Sequence, residues 1–124
     1  MKTEYDVLTK DKEISCSEIV DDILYSKLGL KPANNGTRYL RDLILYIYKK
    51  NPYEFGVDKE IQLFLKERRI NQNYKTVKSK MIYAINNARK DKLKENFYYV
   101  FKTDYDTYFI SLKNIIKAII NMVE

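Results

Sequence analysis

The chain has 124 residues, 45% hydrophobic and 14% aromatic, which suits one domain with a single core and is too apolar for a fully disordered polymer. Twenty-three Lys and Arg against seventeen Asp and Glu leave a net charge of +6, which favours an anionic partner, nucleic acid first. There is no His, and Cys16 stands alone, so an intrachain disulfide and a Cys/His zinc site are excluded and the usual activator of a nucleophilic thiol is missing.

No enzymatic activity, cofactor or metal is therefore expected. Gly29, Gly36 and Gly56 are scattered singly, which rules out a glycine-rich phosphate loop. No apolar run approaches the roughly 18 residues of a membrane span, and the opening "MKTEYDVLTKDKE" lacks the apolar core of a signal peptide. A cytoplasmic protein without membrane contact is the expectation.

Residues 1–14 show little periodicity and read as a flexible tail ahead of a single domain over 15–124. A capping pattern, "SCSE", opens at Ser15 and is followed by Ile19, Val20, Ile23, Leu24 and Leu28, predicting a first helix closed by Gly29. "LKPANNGT" is turn chemistry, with Asn35-Gly36 tolerant of positive φ, so a loop is expected there. Tyr39, Leu40, Leu43, Ile44, Ile47 and Tyr48 then recur at helical spacing until Asn51-Pro52.

Asp58 is the expected N-cap of a third helix carrying Ile61, Phe64 and Leu65 and running to about Arg69. "INQN" interrupts the pattern, and a fourth helix resumes from about Tyr74. Two short helices joined by a polar turn are the sequence form of a helix-turn-helix, though an ordinary corner in a helical bundle has the same form. Further on, "FYYVF" at 97–101 and "TYFIS" at 107–111 flank "KTDYD", the signature of a β-hairpin. Leu112, Ile115, Ile116, Ile119, Ile120 and Val123 make a closing helix opposite Lys113, Asn114, Lys117 and Asn121. The expected fold is mainly α with a small β-hairpin: a winged helix-turn-helix with a C-terminal helix after the wing.

At 100° per residue, Val77, Met81, Ala84, Ile85 and Ala88 share one side of the fourth helix, and Lys75, Ser79, Ile82, Tyr83, Asn86 and Lys90 the other. Between Lys66 and Lys94 ten basic residues stand against two acidic ones, so the remainder of the chain is slightly acidic. Such concentrated charge suits a phosphate-binding surface, while short polar side chains near a helix N-terminus suit base-edge readout in the major groove. Candidate base readers are Asn73, Lys75, Thr76, Ser79, Lys80, Tyr83 and Asn86. Candidate phosphate contacts are Arg68, Arg69, Lys78, Lys90, Lys94 and, on the wing, Lys102. The alternatives are a solvated basic face for the lysines, a partner-chain contact for Ile82 or Tyr83, and a turn role alone for Asn71 and Asn73.

"GLKPANNGTRYLRDLI" resembles the C-terminal effector domain of the stage-zero sporulation protein A family, through Gly29, Ala33, Gly36, Tyr39, Leu40 and Arg41. The resemblance resumes at Val77 and Ile85, where that family has its recognition helix, and covers roughly residues 19–90. It implies a helical domain that reads promoter boxes in double-stranded DNA, free-standing here without the receiver domain that precedes the effector in that family. The family's base-reading arginines align with Thr76 and Ser79, so the resemblance does not imply the same DNA target. The strong hairpin departs from that family's more helical C-terminal part.

Abundant Lys, Asn, Ile and Tyr suit AT-rich codons, and hence a regulator of a low-GC Gram-positive bacterium. An accessory protein at a plasmid's transfer or replication origin fits the same features. A rival of another class is a protein-interaction module that uses the apolar C-terminal helix. That helix is also the expected surface for a homodimer.

Overall fold

The computed structural model describes residues 16–88 and 111–124. Among these, five helices and no strand are found. Helix α1 covers 16–27 and turns π-helical over Asp22–Lys27. It is followed by α2 (Asn35–Lys50), α3 (Val57–Glu67), α4 (Tyr74–Ala88) and α5 (Leu112–Val123).

The expected fold class is thereby corrected: the described residues form a helical assembly without a wing. The hairpin expected over 97–111 falls outside the described residues except at Ser111, which does not end a strand. Its side chain instead accepts the Asn114 N–H at 3.1 Å and caps α5. Hydroxyl capping of an apolar helix is what makes that residue a helix start here. The tail over 1–14, the Ser15 cap, Lys90, Lys94 and Lys102 also lie outside the described residues.

In α1 the wider turn lets Leu28 N–H donate to the Ile23 carbonyl five residues back, at 2.8 Å, so Ile23, Leu24 and Leu28 are all buried. Ile19, expected on the same stripe, is 39% exposed because it lies off the line through Cys16, Val20, Ile23 and Leu24. Gly29 takes φ 74°, the left-handed conformation that ends the helix as anticipated.

Helix α2 is the centre of the domain. Leu40, Leu43, Ile44 and Ile47 are buried along it, and its most extensive neighbour among the described helices is α4. The helix begins earlier than the loop reading of 30–37 suggests, because Asn34 caps it by accepting from Gly36 N–H at 2.8 Å and Thr37 N–H at 3.4 Å. Gly36 is thus helical and buried. Its lack of a side chain serves contact, since a Cβ there would overlap the backbone carbonyl of Lys80 in α4. Arg41 ties α2 to α1 by donating from Nε to Asp21 and from Nη2 to Ser17 Oγ at 2.7 Å. The hydrogen bond to Asp21 raises its pKa above the ordinary value.

Helix α3 starts two residues earlier than expected. Gly56 occupies the N-cap and Asp58 sits inside the first turn, where its carboxylate accepts from Lys78 Nζ at 2.7 Å rather than capping the helix. The C-terminal end is closed by two crossed bonds, Ile70 N–H to the Leu65 carbonyl (2.9 Å) and Arg69 N–H to the Lys66 carbonyl (3.2 Å). This is a Schellman closure, with Arg69 at φ 54° in the place glycine normally fills. Arg69 is the one non-glycine residue with positive φ among those described.

Helix α5 turns Leu112, Ile115, Ile116, Ile119 and Ile120 into the shared core, where all five are buried. The apolar stripe expected to serve a homodimer or a partner protein is therefore consumed inside the chain. Burying five large side chains intramolecularly contributes about 1.5–3 kcal/mol each before the entropy of ordering them, which is why the stripe turns inward.

Candidate nucleic-acid interface

Helix α4 is amphipathic in the plain sense: Val77, Met81, Ala84, Ile85 and Ala88 are buried and the opposite side faces solvent. Its start is set by Asn73, whose side-chain Oδ1 accepts from Lys75 N–H at 2.8 Å while its carbonyl accepts from Val77 N–H. One oxygen of Asn73 is thus committed to the cap, and its amide NH2 is what remains for a ligand.

Of the candidate base readers, Asn73, Lys75, Thr76, Ser79, Tyr83 and Asn86 are exposed and Lys80 is half-buried. Tyr83 is 62% exposed. Lys80 stands at the edge nearest α2, because its own backbone carbonyl abuts Gly36. Ile82, absent from the candidate list, is 39% exposed, and at 100° per residue it shares the line of Lys75, Ser79 and Asn86. An apolar residue amid polar ones is suited to a thymine methyl. Its signal was present in the helical projection.

The candidate phosphate contacts divide. Arg68 and Arg69 are exposed in the α3–α4 turn, with the Arg68 guanidinium 5.4 Å from the Phe64 ring centroid, so its planar fork is held against the aromatic face. Lys78 is engaged by Asp58, twenty residues away in sequence, and stands on the flank of α4 toward α3. No pattern within α4 signals that pairing.

The structure adds a neighbour that the sequence reading had assigned to a loop. The N-terminus of α2 lies beside the exposed face, and Asn34, Asn35 and Gly36 form a cleft of about 520 Å³ with Thr76, Ser79, Lys80 and Tyr83. Neither α2 nor α4 has an acidic residue in its first turn. The positive end of the α2 dipole is therefore not neutralised by its own side chains. The available signal was Asn34 at cap spacing from Thr37; without the tertiary contact nothing joins it to Thr76.

Four of the residues that carry the resemblance have structural roles: Gly29 ends α1, Gly36 admits α4, Leu40 is core and Arg41 bridges to Asp21. Comparison of the chain with family models, curated proteins and solved structures returns no match. Among the described residues no helix is long and apolar enough to cross a membrane.

Proposed function

We propose that this protein binds double-stranded DNA with sequence preference, without catalysis, as a cytoplasmic transcriptional regulator of a low-GC Gram-positive bacterium would. The observation that supports this most is the outer face of α4. Thr76, Ser79, Tyr83 and Asn86 are exposed beside Lys75 on a helix whose other side is seated in the core, and no acidic residue lies within α4. Hydroxyl, amide and ammonium groups on one exposed helix face match the donor and acceptor pattern of major-groove base edges.

The α3–turn–α4 unit supplies the helix-turn-helix reading, with α4 entering the groove. In this reading Arg68 and Arg69 hold the backbone from the turn, and the N-terminus of α2 lies against a phosphate through the cleft it forms with Thr76 and Ser79. Phosphate contacts give affinity that falls with salt, while the α4 face gives the choice of sequence.

The test is selection of bound duplexes from random sequence, followed by anisotropy titration of the selected site across salt concentrations. A selected site bound at least a thousandfold more tightly than random duplex would support the reading. Equal, weak binding to every duplex would sink it.

A further inference from the structure

Two large hydrophobic side chains stand exposed side by side in α4, Ile82 at 39% and Tyr83 at 62%. A lone exposed aliphatic is ordinary on a protein surface. Ile82 differs in its company. At 100° per residue Ser79 and Asn86 fall between Ile82 and Tyr83, so the exposed face sets apolar groups on either side of hydrogen-bonding ones. No Asp or Glu occurs from Tyr74 to Ala88, so the helix itself does not repel an anionic surface.

The neighbours of Ile82 narrow what it can touch. Lys78, one turn earlier on the same flank, has its ammonium on the Asp58 carboxylate at 2.7 Å. It is therefore engaged elsewhere and does not offer its donors to the paired acceptors of a guanine beside Ile82. What remains at that position is an aliphatic group without a donor, and the apolar feature of a base edge in the major groove is the thymine C5-methyl.

Asn86, one turn further on, has the complementary preference. A two-point pairing with adenine needs an amide oxygen to accept from N6–H and an amide NH2 to donate to N7. Asn73 has committed its oxygen to the Lys75 N–H, whereas Asn86 is exposed and far from that cap. At 1.5 Å of rise per residue, Ile82 and Asn86 are about 6 Å apart along the axis, while bases stack about every 3.4 Å. The two side chains thus address base pairs one or two steps apart.

We infer that Ile82 is a specificity-determining residue that contacts a thymine methyl, and that Asn86 reads an adenine one or two base pairs away, so that the chosen sequence is A·T under the second half of α4. This rests on the DNA-binding reading and adds to it the class of sequence selected there. Charge alone sets no such preference, since the phosphates of every duplex are alike.

The experiment takes the duplex selected from random sequence and replaces each thymine in turn by deoxyuridine, which lacks only the methyl, and each adenine by 7-deazaadenine, which lacks N7. Binding of the full chain is read by anisotropy. One deoxyuridine should weaken wild-type binding about fourfold, the worth of one methyl group withdrawn from water. One 7-deazaadenine within two base pairs of it should weaken binding about fivefold, the net yield of one hydrogen bond. Ile82→Ala should bind the thymine and deoxyuridine duplexes equally, and Asn86→Ala the adenine and 7-deazaadenine duplexes equally. Each variant should keep its sensitivity to the other replacement, which a merely misfolded protein would lose. A selected duplex bound tightly but indifferent to every deoxyuridine, or an Ile82→Ala protein that still distinguishes thymine from deoxyuridine, would overturn the inference and leave DNA binding standing. Failure to select any duplex would remove the DNA-binding reading and this inference with it.

Discussion

Helices α4 and α5 are both amphipathic, both carry lysine and asparagine on the polar side, and end in opposite roles. Helix α5 presents five buried aliphatic side chains, and its polar residues Lys113, Asn114, Lys117 and Asn121 are left to solvent. The buried stripe of α4 is built partly from Ala84 and Ala88, and α2 reaches it so closely that only glycine fits at position 36. The difference teaches that a wide stripe of Ile and Leu makes a core helix, whereas a narrow stripe with small residues sets a helix shallowly and leaves more of it to do other work.

The largest effect should come from the core side of α5. Ile116→Ala, at a fully buried position, is expected to cost about 4 kcal/mol, read by urea unfolding, and to leave the sequence preference of any surviving DNA binding unchanged. An effect on preference would give α5 a role in readout and break the contrast. Next is Gly36→Ala, which pushes a methyl group into the Lys80 carbonyl and should cost on the order of 3 kcal/mol, lowering Tm by roughly 10 °C or more. A neutral result would show that the α2–α4 contact is looser than described.

Arg69→Gly should act in two directions at once. Relieving a left-handed arginine at φ 54° should stabilise the domain by about 1 kcal/mol, while loss of the proposed phosphate contact should weaken any DNA binding to all sequences alike. Thermal melts and anisotropy on the same sample separate the two. The smallest stability effect belongs to the α4 face: Ser79→Ala and Thr76→Ala should each change stability by less than about 0.5 kcal/mol yet alter the selected DNA sequence. If the selected sequence stays the same, base readout lies elsewhere.

Much of this was legible in the residues themselves. The spacing of Val77, Met81, Ala84, Ile85 and Ala88 names the buried side of α4, and Gly29 names the end of α1, because both are local consequences of helical geometry. The reading went wrong where a residue's partner is distant or its local cue ambiguous. Asp58 looks like a cap by type, but Lys78 draws its carboxylate and Gly56 takes the cap position. Gly36 looks like a turn residue, but it is helical and its small size answers to Lys80, forty-four positions away. Aromatic and β-branched residues up to Ser111 suggested strand, while Ser111 itself caps a helix.

What the sequence by itself determined is therefore the buried side of α4 and α5, the concentration of basic charge between Lys66 and Lys94, and the absence of histidine chemistry. Only the tertiary structure decided which apolar stripe would be covered by the chain's own core, which lysine would be taken by an aspartate, and that the start of α2 would stand beside Thr76 and Ser79. The reason is physical: periodicity and capping depend on neighbours within about one turn, whereas a cleft, a cross-helix ion pair or a close backbone approach exists only once distant segments pack.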